Sequence, residues 1–268
     1  MILEEQFESL ATEGSARRRL AVFRRDGETP LDSMLRTLFS DQPVSVETES
    51  GDASGGESPP GTTTEDDLAV LVEDGEVVAT SPLSALERAI LLVNSDRYTT
   101  GSIHVDEAEL PDVLTGLADV PFRLRGYPLA HKEKLLLVAM SRYIERRAYR
   151  AGAGELHASF QRLSRIDDEI GTRRTYDALS KSGVDVHVYG EPDWDPEAEL
   201  DVTAHGGHDD AYTDSWFVVF DPPSEAVDRR TTPASLLALE TDPRVWRGIW
   251  TFRPEAVAEV ADTVRRRL

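Results

Sequence analysis

An ordered series of strand-like and helix-like segments occurs twice in this chain, and that constrains its fold more than any other feature. Ala21-Val22-Phe23-Arg24-Arg25 returns as Ala158-Ser159-Phe160-Gln161-Arg162, and Val44-Ser45-Val46 as Val186-His187-Val188. Leu68 corresponds to Trp216, Ser81-Pro82-Leu83-Ser84 to Thr232-Pro233-Ala234-Ser235, and Gly101-Ser102-Ile103-His104-Val105 to Gly248-Ile249-Trp250-Thr251-Phe252. Helical residues follow the same order: Phe7 with Ile144, Leu38 with Leu179, and Leu110 and Val113 with Val257 and Val260. The spacing between partners drifts mostly at polar loops, as insertions would make it. Alternation alone would arise in any α/β chain. The shared Ser/Thr-Pro helix start, the matched glycine and the common Phe-x-Arg point further, to a duplicated unit.

Periodicity predicts strands over Leu20–Arg24, Pro43–Thr48, Leu68–Glu73, Glu76–Thr80, Gly101–Val105, Leu156–Gln161, Val184–Tyr189, Ser215–Phe220 and Gly248–Phe252. Asp74-Gly75 between two of these is a hairpin signal. Helices are predicted at 3–12, Leu31–Phe39, after Ser81-Pro82, at Glu107–Leu117, Lys132–Arg150 and Thr172–Ser182, after Thr232-Pro233, and at Pro254–Arg265. Segments 49–67 and 191–214 read as polar loops, the first of them mobile. Strands alternating with helices imply an α/β fold: two tandem, similar units with mostly parallel (mixed) sheets flanked by helices. Residues 1–128 would be a diverged N-terminal repeat and 129–268 a second repeat led by the long helix, which would relay a signal or form a homodimer. Whether the repeats share one sheet is left open.

Charge bounds the partners. Asp and Glu number 50 against 29 Lys and Arg, for a net charge of −21. Lysine occurs only as Lys132, Lys134 and Lys181. Such self-repulsion opposes compaction in dilute buffer and is screened at molar salt, where the Debye length is about 3 Å, so the composition suits a salt-rich, halophilic cytoplasm. It argues against direct nucleic-acid binding, which needs a basic stripe; Arg17–Arg19, Arg24-Arg25 and Arg265–Arg267 are only short clusters. The chain has no cysteine, its first ten residues do not read as a signal peptide, and the apolar run Leu135–Met140 is too short to span a bilayer. We expect a soluble, cytoplasmic protein.

The chemistry-bearing signals are mostly absences. Phosphate-binding glycine loops, nucleophile elbows and kinase signatures do not occur, so no catalytic residue and no cofactor are assigned. His205-Gly206-Gly207-His208-Asp209-Asp210 could ligate zinc or nickel, but the glycines deny it fixed geometry, and no metal is assigned. His187, between Val186 and Val188, must face the opposite way, outward or toward a helix. In open parallel sheets ligands gather at the strands' carboxyl ends. In the second unit those ends would carry Gln161-Arg162, Tyr189 to Trp194, Asp221-Pro222-Pro223 and Arg253: a polar mouth with aromatic walls.

The segments Phe160–Ser164 (FQRLS), Val184–Asp193 (VDVHVYGEPD), Ser215–Asp221 (SWFVVFD), Leu236–Glu240 (LLALE) and Arg247–Phe252 (RGIWTF) together resemble the DICT sensory domain, from Ser141 to Leu268. The family is named for its occurrence with diguanylate cyclases and two-component systems. Stand-alone chains of this kind are typical of haloarchaea. The resemblance implies a non-catalytic sensory or regulatory role, with a small ligand or a signalling partner such as a two-component or transcription regulator. It makes Phe160, Arg162, Tyr189, Asp193, Trp216 and Glu240 candidate ligand-binding residues. The alternatives are a protein–protein interaction module and an enzyme of unrecognised type.

Overall fold

The computed structural model describes residues 2–13, 18–24, 36, 44–50, 67–90, 104–125, 134–223 and 231–268. Its described strands form two mixed sheets flanked by helices. The smaller contains β1 (Arg18–Arg24), β2 (Val44–Ser50), β3 (Leu68–Glu73) and β4 (Glu76–Pro82), in the order β2-β1-β3-β4. Asp74 (φ 50°) and Gly75 (φ 92°) close the β3–β4 hairpin, both at positive φ as the sequence predicts. Helix α2 (Leu83–Ile90) follows directly, with Leu83, Leu86 and Ala89 buried on one face. Near the end of β4 the Ser81 hydroxyl accepts from Val113 N–H, 3.2 Å, at the start of α3 (Asp112–Thr115).

The larger sheet has the order β5-β11-β10-β9-β6-β7-β8. Its strands are β5 (Phe122–Arg125), β6 (Glu155–Arg162), β7 (Asp185–Glu191), β8 (Thr203–Gly206), β9 (Ser215–Asp221), β10 (Ala234–Asp242) and β11 (Val245–Thr251). One face is covered by α4 (Lys134–Ala151), whose Leu136, Leu137, Met140, Ile144 and Ala148 are buried, and by α6 (Ile170–Ser180). The short α5 (Arg165–Asp168) leads into α6. The other face is covered by α8 (Pro254–Arg267), α1 (Ile2–Glu13) and the short α7 (Asp210–Thr213). Pro254 opens α8 and Arg265–Arg267 close it, where cations suit the helix dipole. A single apolar cluster runs from Leu20 and Leu71 of the small sheet through α4 to Trp250 of the large one. Phe122 of β5 points the tip of its ring at Gly248, where a Cβ would come within 2.1 Å of Cζ.

Several expectations need correction. Pairing leans antiparallel: β1–β2, β6–β7 and β7–β8 are parallel, while β9–β10 and β10–β11 are antiparallel, the latter because the turn at Pro243-Arg244 is too short for a crossover. The helix expected after Thr232-Pro233 is strand β10. Residues Ala234 to Leu239 are all buried, and an unbroken apolar run suits a strand covered on both faces as well as a helix. Val105 belongs to a 3₁₀ turn, Val105–Glu107, rather than a strand, and Gly101–Ile103 lie outside the described residues. The loop expected at 191–214 contains a 3₁₀ turn at Pro196–Ala198, β8 and α7. The helix expected at Leu31–Phe39 and most of segment 49–67 fall outside the described residues. Helix α4 is buried along most of its length within the chain, which leaves little of it to bind a second copy.

The two sheets are separate, yet β2-β1-β3-β4 has the same order and strand sense as β7-β6-β9-β10. Registers differ: Ala158 pairs with Val188, whereas Ala21 pairs with Glu47 rather than with the sequence-matched Val46. The halves also interpenetrate. β5 precedes residue 129 but edges the large sheet, and α1 packs on that sheet too.

Candidate functional site

The rim where β6, β7 and β10 end is built by an unusual turn. Gln161, buried, adopts φ 63°, a left-handed conformation that a non-glycine residue rarely takes. It marks a bulge near the end of β6, where the pairing with β7 shifts register between Ser159 and Arg162, and Leu163 N–H then bonds the Glu191 carbonyl at 3.1 Å. The turn lies against Gly190, where a Cβ would stand 3.1 Å from the backbone of Arg162 and Leu163. Ser164 donates to Asp193 twice, from its backbone N–H at 2.8 Å and its hydroxyl at 2.7 Å. Arg162 Nε stands 4.0 Å from the same carboxylate. Partial burial works to raise the Asp193 pKa, but the Ser164 hydrogen bonds and the Arg162 charge outweigh it and hold the carboxyl below its ordinary value. Arg165 donates to the Gln161 side chain. Burial and the neighbouring Arg162 charge lower its pKa, against the opposing pull of Glu169, Glu240 and Asp168. The result is a polar rim with two guanidiniums and an ionised carboxylate.

The structure divides the six predicted site residues. Arg162 and Asp193 meet at the rim. Glu240 lies on the same edge at the end of β10, where it accepts from Arg244 N–H at 2.6 Å and closes the β10–β11 turn. Phe160 and Trp216 face α4 and α6: Phe160 packs edge-on against Tyr176 at 4.9 Å, and Trp216 donates to Ser141 at 2.9 Å. Tyr189 is 1% exposed and points to the opposite face, toward α7 and α8. Asp221 and Arg253 do not join the mouth. β9 and β11 run antiparallel to β6, so Asp221 pairs with Glu155 at the other edge.

Sequence reasoning missed two buried polar constellations. Between α4 and α6, Arg142 donates to Glu145 (2.6 Å) and Thr172 (2.7 Å), and Tyr176 donates to the other Glu145 oxygen (2.9 Å). The Arg-x-x-Glu pair sharing the apolar stripe of α4 was the available signal. On the opposite face of the sheet, His157 and His187 sit directly across from each other on β6 and β7, and His205 of β8, paired with Tyr189, meets His187 diagonally. Their alternation with Leu156, Val186 and Val188 marked the face but not the lateral match. Among the described residues no cluster of three or more ligating groups could hold a metal ion, and none of the helices is long and apolar enough to cross a membrane.

No curated protein matches this chain. Among solved structures, a polyphosphate kinase from Porphyromonas gingivalis matches at 10% identity with a TM-score of 0.33, over 97% of this chain and 44% of that one. The chain therefore spans less than half of that protein's length, and a likeness this low carries no argument. Residues 113–240, from α3 into β10 and including the whole rim around Arg162 and Asp193, match the family model of DICT, described as a sensory domain in diguanylate cyclases and two-component systems.

Proposed function

We propose that this chain is a non-catalytic sensory or regulatory protein that takes a small ligand or a signalling partner at the rim of its large sheet. The supporting observation is the Ser164–Asp193–Arg162 constellation, set by the left-handed Gln161 within the DICT-matching segment. Strain held at a defined polar edge is a common mark of a functional turn. Arg162 and Asp193 serve as the direct contacts, with Glu240 at the border; Phe160, Tyr189 and Trp216 act as packing that holds the strand ends. The small sheet supports the larger one through the shared core. Output passes to a separate two-component or transcription regulator. The net charge of −21 favours a salt-rich cytoplasm, with a Tm that rises with KCl.

A thermal-shift screen of nucleotides and metabolites in molar KCl, run alongside partner capture from a halophilic host, tests this reading. A ligand or partner held by the native protein and lost on Asp193→Asn or Arg162→Ala supports it. Failure of every compound, together with partner capture indifferent to both changes, overturns it.

A further inference from the structure

The three histidines on the α8 face of the large sheet form one connected row. His157 stacks on His187 with ring centroids 4.7 Å apart, and His205 stacks on Tyr189 at 4.4 Å. His187 Nδ1 lies 3.1 Å from His205 Nε2, and His157 Nδ1 lies 2.9 Å from the Tyr189 hydroxyl. The outer nitrogens meet carboxylates: His157 Nε2 is 3.2 Å from Glu155, and His187 Nε2 is 3.4 Å from Asp185. These contacts assign the protons. Glu155 accepts from His157 Nε2–H, and the nearby Asp185 charge favours the proton on His187 Nε2, so each Nδ1 keeps a lone pair. The Tyr189 hydroxyl donates to one lone pair and His205 Nε2–H to the other. The row is satisfied when all three rings are neutral.

One more proton breaks that arrangement. On His187 Nδ1 it would set N–H against N–H across 3.1 Å. On His157 it would place a charge in a 1% exposed ring that already faces a cation. The charged and titratable neighbours are Glu155 from β6, Asp185 from β7 and Asp221 from β9; Glu197 from the 3₁₀ turn before β8; Arg265 from α8; and Tyr212 from α7 with Asp209 at its N-cap. Arg265 is already engaged by Glu155, Asp221 and Asp262. Burial first, then repulsion from His187 whenever that ring is charged, pushes His157 down to about 4, against the pull of Glu155. His205 is lowered by burial and by His187, against Glu197.

The weak partner in this row is β8. It has four residues and pairs with β7 at the edge of the sheet, and its His205 ring lies over Tyr189. We propose that the His157–His187–His205 row is a proton-responsive clasp: proton uptake breaks the His187–His205 contact, frees β8 from the sheet, and uncovers Tyr189 and the β7 edge that leads into the rim. The clasp needs no ligand at Arg162 or Asp193, so it stands or falls apart from the rim's function.

The sign follows from linkage. Folding lowers the pKa of His157 and His205 below the unfolded value, so their contribution is intact above about pH 6.5 and lost as pH falls through that value toward the folded ones. Hydrogen exchange of segment 203–206, measured on the full chain in molar KCl from pH 7 to 5 and corrected for intrinsic rates, tests the clasp. One linked proton raises β8 opening about tenfold per pH unit below 6. His187→Gln flattens that dependence, and His208→Gln, an exposed ring, leaves it unchanged. Where a substitution perturbs folding, ring NMR of the native protein reads the same property, with His157 staying neutral at pH 5. Opening that ignores pH, or a dependence that survives His187→Gln, overturns the proposal.

Discussion

The small sheet and the β7-β6-β9-β10 part of the large sheet share strand order and strand sense, and they differ in what covers them. Helix α4, which precedes β6, packs on its own sheet. Helix α1, which precedes β1, packs instead with α8 on the far face of the large sheet. The large sheet is thereby buried on both faces and extended by β5 and β11 on one side and β8 on the other. Strand order alone therefore does not confer a site. The left-handed bulge near the end of β6 and the histidine row appear where the sheet has enough cover to hold polar groups in fixed geometry, since such groups are stable in a core only when fully paired.

That contrast can be attacked in four places. The largest effect is expected from Arg142→Leu, which strands Glu145 as a buried charge between α4 and α6. Urea unfolding should show a loss of about 3–5 kcal/mol, partly recovered when Glu145→Leu is added; a loss within about 1 kcal/mol would mean that these helices are not fastened by the pair. Phe7→Ala removes a fully buried ring and should cost about 3–4 kcal/mol. Hydrogen exchange should then rise in β10 and β11, and a rise confined to β1–β4 would reassign α1 to the small sheet. Gly248→Ala forces Phe122 off β11 and should cost about 1–3 kcal/mol by overpacking, with β5 amides exchanging first. The smallest change in stability, under about 1 kcal/mol, belongs to Asp193→Asn at the part-exposed rim. If the sensory reading is right, the same substitution has the largest effect on ligand or partner capture.

The sequence's reach followed the range of the interactions involved. Asp74-Gly75 foretold its hairpin because two residues' backbone preferences decide that turn. The α4 and α8 stripes were visible because a helix's buried face is written in its own periodicity. Leu236-Leu237-Ala238-Leu239 misled because a run buried on every side has no period to read. Tyr189 and Asp193 looked alike as neighbours at a strand end, yet one is core and the other rim; which way a strand's end faces depends on its partners.

By itself, the sequence determined the mixed α/β class, the net charge of −21, the existence of most elements, and the resemblance of the second half to a sensory domain. Tertiary structure alone decided the direction of β9 to β11, the attachment of α1 to the far sheet, and the meeting of Asp193 with Ser164 and of His157, His187 and His205 with one another. The reason is that strand direction and lateral register are set by contacts between segments distant along the chain, and no local pattern of residues encodes which segments those will be.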